Sequence, residues 1–194
     1  METTPRFPRW LRLVHLLLVV AIAAALISGQ FADDYRRAAH IGFDLHLSIG
    51  IGAACVVALR WLLALVGPPP AAFTAWQRPL LDPRDWLGRV RRTLANAGAL
   101  EPPHAGLGGL VQFLMLASVG AMSATGLGLA VMIEPGSRAA GLGRALKEVH
   151  EAFQPVILGL LALHVGAAVV HQCLRGHPIL TQMFRFGRAR GPEE

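Results

Sequence analysis

The chain has 194 residues, of which 54% are hydrophobic and only 15% are charged. A soluble domain carries about a quarter charged residues, so this composition excludes an ordinary soluble globular protein. The formal net charge of +6 could indicate a nucleic-acid partner. The arginines instead flank long apolar runs, which indicates contact with a lipid bilayer and excludes nucleic acid.

Four apolar runs predict an all-α membrane protein built as a four-transmembrane-helix bundle. Each run reaches or approaches the ~20 residues that cross a hydrocarbon layer, and only a helix satisfies its own backbone there. The first run is longer than a signal-peptide core and contains a histidine, so we interpret it as an uncleaved span. The predicted helices of this single domain, 1–194, cover about residues 11–30, 43–66, 107–133 and 149–174.

The linker 67–106 is the longest segment outside the apolar runs. Residues from about 82–97 are expected to form a short interfacial helix, with Asp82 as its N-cap and Pro83 in its first turn. An apolar face of this helix would lie beside several arginines, which suits a helix on the membrane surface: the face is Trp86, Leu87, Val90 and Leu94, and the arginines are Arg89, Arg91 and Arg92. Most arginines lie in the N-terminus, this linker and the tail, so the positive-inside rule predicts that both termini are cytoplasmic.

Histidines inside the runs are the candidate functional residues, because ionisable side chains in a membrane are costly and usually functional. His15 lies near the inner start of the first helix, and His46 lies near the outer start of the second. His150 stands at the outer start of the fourth helix. His164 follows fourteen residues later, on nearly the same face and ~21 Å deeper.

These depths predict two histidine pairs, each of which includes the fourth helix. His46 and His150 can meet near the outer surface, and His15 and His164 can meet in the inner half. Each pair resembles the axial imidazoles on either side of a haem iron. A covalently attached haem is excluded, because the chain has no C-x-x-C-H motif. His171 lies on nearly the same face as His164, so depth alone leaves it open as the partner of His15.

Arginines near the predicted pairs are candidates for binding haem propionates, because the guanidinium fork matches a carboxylate. Arg12 lies one turn before His15, and Arg36 and Arg37 lie near the outer pair. Orientation in the membrane or contact with lipid explains these arginines equally well. For Arg60, near the inner end of the second helix, snorkelling to the membrane surface is the simplest explanation.

Three segments resemble the bacterial cytochrome b561 family, and within it the b-type cytochrome subunits found with nickel–iron hydrogenases. They are RWLRLVH, LHLSIGIGAACVVALRWLLALVGP and EVHEAFQPVILGLLALHVGAAVVH, and the resemblance covers essentially the whole chain. In that family, one histidine of the first helix, one of the second and two of the fourth hold two haems. The resemblance therefore implies His15, His46, His150 and His164 as the ligands of two non-covalent haem b groups, and it favours His164 over His171.

The resemblance also implies electron transfer between a membrane quinone and a periplasmic redox protein, either a hydrogenase-like enzyme or a cytochrome c. The expected location is the bacterial inner membrane, with several spans, and a homodimer stays open. An electron-transfer subunit is favoured over an independent oxidoreductase. One alternative is a stand-alone quinone oxidoreductase that uses a small donor such as superoxide. A second alternative is a non-redox, histidine-lined metal transporter or a scaffold.

Overall fold

The computed structural model describes residues 7–32, 40–68, 71–72, 87–88, 91, 95, 106–134, 137–174, 176 and 179–184. Within these ranges, the four long helices are long and apolar enough to cross a membrane. This confirms the predicted all-helical membrane protein. The helices are α1 (Arg9–Gly29), α2 (Ile41–Val66), α3 (Gly106–Met132), α4 (Gly141–Leu174) and the short α5 (Ile179–Phe184).

Large apolar side chains cover the outside of the bundle. Leu17 and Val20 on α1, Leu65 on α2 and Leu163 on α4 are all more than half exposed. A helix that is apolar on every side needs an apolar surrounding, either a protein core or lipid. Since these side chains do not face the core, they fit the hydrocarbon layer of a bilayer.

The bounds of α1, α2 and α3 lie close to the predicted ranges, whereas α4 begins at Gly141 and not at about residue 149. Its first turns are held by two ion pairs spaced four residues apart, Arg144 with Glu148 and Lys147 with Glu151. Such pairs stabilise a helix without contributing hydrophobicity. The apolar pattern therefore detects only the part of α4 that follows them.

The linker prediction falls mostly outside the described residues. Leu87, Gly88, Arg91 and Ala95 have helical backbone, and the rest of the predicted interfacial helix 82–97 is not among the residues described. After α2 the chain turns back towards the bundle, because Ala71 and Ala72 are both buried. One side of the last turns of α2 is therefore covered by the residues that follow it.

Backbone packing follows chain order: α1 lies against α2, α2 against α3, and α3 against α4. Glycines on α3 allow the two closest approaches. A Cβ at Gly120 would lie 2.7 Å from Nε1 of Trp61, and one at Gly128 would lie 2.8 Å from Cδ2 of Leu146. In the described residues α4 makes no extensive backbone contact with α1 or α2. Space therefore remains between α4 and the α1–α2 pair.

The bundle core lies at mid-depth and consists of Val57, Leu116, Val119 and Ile157. Ile157 is only 1% exposed. Its position in α4 is midway between His150 and His164. The core therefore separates the outer histidine level from the inner one.

Candidate functional site

The structure brings the four predicted histidines together as two pairs. The ring centres of His46 and His150 are 6.3 Å apart, and those of His15 and His164 are also 6.3 Å apart. An imidazole nitrogen binds a transition metal at about 2.0 Å, so rings on opposite sides of one metal have centres roughly 6 Å apart. Both pairs therefore have a spacing at which two imidazoles would hold one metal group between them, and the ring that faces His15 is that of His164.

His46 is oriented by the outer end of α1. Its Nδ1 lies 3.1 Å from the hydroxyl of Ser28, a buried residue. The Ser28 hydroxyl donates its own hydrogen to the carbonyl oxygen of Ala25, 3.1 Å away. Ser28 therefore accepts from His46, whose Nδ1 carries the proton. Nε2 keeps its lone pair and is the nitrogen available to a metal.

His150 is oriented by α3 in the same way. Its Nδ1 donates to the backbone oxygen of Met122 at 2.9 Å and lies 3.1 Å from the hydroxyl of Thr125. A carbonyl oxygen can only accept, so this nitrogen carries the proton and Nε2 is left with the lone pair. The Thr125 hydroxyl donates back to the carbonyls of its own helix. Both outer histidines thus present the nitrogen that a metal needs.

A cavity of about 570 Å³ lies between the rings of the outer pair and the core. Its walls come from all four long helices and are mostly apolar, and the core residues Val57, Val119 and Ile157 form part of its lining. Gly50 also lines the cavity, and a Cβ added there would meet nothing within 4 Å. The cavity therefore has room for a large, flat, apolar group beside the backbone of α2.

Two further glycines lie directly against the outer rings. A Cβ at Gly29 would lie 3.4 Å from Cε1 of His46. A Cβ at Gly126 would lie only 3.0 Å from Cε1 of His150, which is tighter than most real Cβ contacts. The absence of a side chain at these positions lets α1 and α3 approach the rings and fix their positions.

The inner pair is covered by the C-terminal helix α5. The ring centre of Phe184 lies 6.5 Å from that of His15. Arg12, which is only 3% exposed, donates from a guanidinium nitrogen to the carbonyl oxygen of Gln182 at 3.1 Å. The ring contact and the hydrogen bond hold α5 against α1 next to the inner histidines.

Arg60 is buried near the end of α2. Its residue is only 8% exposed, and its guanidinium donates to the carbonyl oxygen of the buried Ala71 at 3.3 Å. The chain after α2 folds back over this side of the helix and supplies the acceptor for Arg60.

Two of the arginines proposed to bind propionates are not described by the structure, and two charged residues of the cavity were not predicted from the sequence. Arg36 and Arg37 lie outside the described residues. Lys147 and Glu151 line the outer cavity near His150 and form an ion pair with each other. The sequence signal for Lys147 is its position one turn before His150, the same relationship as that of Arg12 to His15.

The fold defines a class, the membrane-spanning helical bundles, and four of its histidines meet in pairs from different helices. The chain belongs to the prokaryotic cytochrome b561 family, whose model matches residues 6–186. Proteins of this family are membrane b-type cytochromes that bind haem and transfer electrons. The comparison with curated proteins and the comparison with solved structures each gave no match.

Proposed function

We propose that this protein is a di-haem b-type cytochrome of the bacterial inner membrane that transfers electrons between a membrane quinone and a periplasmic redox protein. The observation that carries the proposal is the repeated 6.3 Å separation in two histidine pairs at two depths. His46 and His150 would hold the outer haem, and His15 and His164 the inner one. A haem supplies one-electron chemistry at its iron, and the protein supplies ligands, orientation and a water-free surrounding.

The residues present fit such a group. The outer rings have protonated Nδ1 atoms, anchored by Ser28 on α1 and by Met122 and Thr125 on α3. Outer partners of this kind fix a ligand's orientation and raise its basicity towards a metal. The adjoining cavity is large and apolar, and Gly50 leaves open space in its wall. Arg12 at the inner level, and Arg36 and Arg37 at the outer level, remain our candidates for the propionates.

The distribution of arginines supports the proposed orientation, with both termini in the cytoplasm. The outer pair then lies on the periplasmic side, where a hydrogenase-like enzyme or a cytochrome c could exchange electrons with it. Because ~21 Å of α4 separates its two histidines, two haems would span much of the hydrocarbon layer. That spacing suits a protein that connects a partner outside the membrane with a quinone inside it.

Metal transport is less well supported by the arrangement of the histidines. In the described part of the chain, no three histidine, cysteine or carboxylate side chains are grouped as ligands of one metal ion. The histidines meet in twos, and the mid-depth core with Ile157 separates the two levels. A pathway for ions would need polar groups to continue through this core.

The proposal is tested by the haem content of the purified protein and of four single variants, His15→Ala, His46→Ala, His150→Ala and His164→Ala. We expect two haems per parent chain, with the absorption spectrum of low-spin b haem in both redox states. Each variant should lose one haem or fail to accumulate as folded protein. The double variant His46→Ala/His150→Ala should lose no more haem than either single variant, because both residues serve one site.

His171→Ala is the matched control, since it removes a histidine of the same helix and should retain both haems. A parent protein that binds no haem, even after reconstitution with free haem, would overturn the proposal. Retention of both haems in His164→Ala together with loss of one in His171→Ala would assign the inner ligand to His171 instead.

A further inference from the structure

A groove of about 370 Å³ lies between α2 and α3, along residues 54–61 of α2 and 117–127 of α3. This α2–α3 groove is mostly apolar and rich in alanine, so small side chains leave the space open. Ala58, Ala124 and Leu127 are exposed, which places the groove on the outside of the bundle, where the bilayer surrounds it. A hydrophobic molecule dissolved in the membrane could therefore enter it directly from the lipid.

Two hydrogen-bond donors line the α2–α3 groove, one from each helix. Neither Nε1 of Trp61 nor the hydroxyl of Ser123 has a hydrogen-bond partner within the described part of the chain. An indole N–H in an apolar surrounding normally has a partner, and a serine within a helix commonly bonds to its own backbone. Ser28 and Thr125 follow this rule, because their hydroxyls donate to carbonyl oxygens of their own helices. The groove thus offers two donors to a ligand that carries acceptor atoms.

The two donors are separated by about one helical turn along α3. A Cβ at Gly120 would lie 2.7 Å from Nε1 of Trp61, so this nitrogen stands beside Gly120. Ser123 follows Gly120 by three residues, and side chains at that spacing are roughly 5–6 Å apart. The two oxygens of a para-quinone ring are separated by a similar distance, and both accept hydrogen bonds. A lipid tail has no acceptor, and the helices of a second copy already use their backbone carbonyls internally.

The α2–α3 groove is adjacent to the outer cavity. Val57, Ser123 and Leu127 line both spaces, so a single layer of side chains separates them. Val57 also belongs to the mid-depth core, so the groove lies between the two histidine levels. A ring in the groove would therefore be one side chain's thickness from a group in the outer cavity, while its tail stayed in the lipid.

We propose that the α2–α3 groove binds the head group of a membrane quinone, whose two carbonyl oxygens accept hydrogen bonds from Nε1 of Trp61 and from the hydroxyl of Ser123. The inference rests on the proposed function, which includes a membrane quinone but assigns it no site. Gly120 allows the indole to lie against α3, and the alanines leave room for a flat ring between the two helices.

The test is photolabelling of the detergent-purified holoprotein with two probes, an azido-benzoquinone and an azido-naphthoquinone, each with a decyl tail. Labelled peptides are mapped by mass spectrometry, and competition by the matching unlabelled decyl quinone gives its Kd. Trp61→Phe keeps an aromatic ring but removes the N–H, and Ser123→Ala removes the hydroxyl. The matched controls are Trp10→Phe on α1 and Ser118→Ala on α3, because neither residue lines the groove.

We expect at least one probe to label the groove residues of α2 and α3, and the unlabelled quinone to suppress this labelling. Trp61→Phe and Ser123→Ala should each raise the Kd roughly three- to tenfold, the effect of losing one hydrogen bond. Gly120→Ala should raise it at least as much, because its Cβ would displace the indole. The two controls should keep the parent Kd, and all five variants should keep the parent haem content.

The inference is overturned if the competed label lies outside the groove, or if unlabelled quinone does not suppress labelling, since lipid would then explain the groove. It is also overturned if Trp61→Phe and Ser123→Ala both keep the parent Kd. If Trp61→Phe does not accumulate as folded protein, Ser123→Ala against Ser118→Ala decides. A parent that holds both haems but shows no competed label in the groove defeats this inference alone. A parent without haem defeats the proposed function, so the two failures are distinguishable.

Discussion

His150 on α4 donates a hydrogen bond from Nδ1 to the backbone oxygen of Met122 on α3, 2.9 Å away. The same nitrogen lies 3.1 Å from the hydroxyl of Thr125. The helix α3 carries no histidine, yet it orients one ring of the outer pair. The acceptor on α3 is therefore part of the site, together with the histidine that it orients.

Replacing Thr125 by valine should weaken haem binding at the outer site only. Valine keeps the shape of threonine but removes the hydroxyl that lies 3.1 Å from Nδ1 of His150. Loss of such an outer partner typically lowers metal affinity about 10–100-fold, and the remaining Met122 bond should keep the effect near the lower limit. The measurement is the rate of haem transfer to a haem-scavenging protein. Thr125→Ser keeps the hydroxyl and should behave like the parent, and equal transfer rates in all three proteins would contradict the prediction.

Filling the outer cavity from α2 should exclude the outer haem. Gly50 lines the cavity with open space beyond its Cα, so the leucine of Gly50→Leu would occupy the volume that a haem needs. We expect the purified variant to hold one haem, with the component that depends on His15 retained. Gly52→Leu is the matched control, because Gly52 is exposed and a Cβ there also meets nothing within 4 Å. Two haems in Gly50→Leu would show that the cavity is not the haem site.

A methyl group at Gly126 should disturb His150 without unfolding the helix. Its carbon would lie 3.0 Å from Cε1 of the ring, so the ring must move by a few tenths of an ångström. Gly126→Ala should therefore change the spectrum and the potential of the outer component. Gly108→Ala on the same helix meets nothing within 4 Å and should only stabilise the fold, by up to about 1 kcal/mol. Thermal unfolding and redox titration of both variants separate the two effects, and an unchanged outer spectrum in Gly126→Ala would be evidence against the contact.

Removing the ring of Phe184 should loosen the inner site. Phe184 on α5 lies 6.5 Å from His15 and shields one side of the inner pair. Phe184→Ala should therefore speed the loss of the inner haem several-fold, because water gains access, while the outer haem stays bound. The exposed Phe31 near the other end of the bundle provides the control Phe31→Ala. The prediction fails if the two variants release haem at the same rate, or if Phe184→Ala releases the outer haem instead.

Hydropathy and helical periodicity were sufficient to predict the four spans and the pairing of the histidines by depth. Both patterns are averaged over many residues, and the position of a histidine within a span gives its depth directly. The partner of His15 was settled at the residue level only by the family resemblance, because His164 and His171 lie on nearly the same face. In the structure the ring centre of His164 lies 6.3 Å from that of His15.

The contacts that orient the histidines could not be predicted, because they depend on how neighbouring helices are rotated. Ser28 and Thr125 are ordinary small polar residues of apolar helices, and nothing in their spacing distinguishes them from packing residues. The acceptor at Met122 is a backbone atom, which carries no sequence signal at all. Arg60 is buried because the chain after α2 folds back over it. The periodicity of residues within one helix does not predict such a fold.

A single helix, α4, contributes one histidine to each pair, and it has no extensive backbone contact with α1 or α2 in the described residues. Occupancy at either level would fix the rotation and height of α4 relative to its neighbours. The first prosthetic group would already have ordered α4, at a cost in conformational entropy. The second group would then bind to an ordered site without that cost. In the parent chain, binding of one group is therefore expected to favour binding of the second.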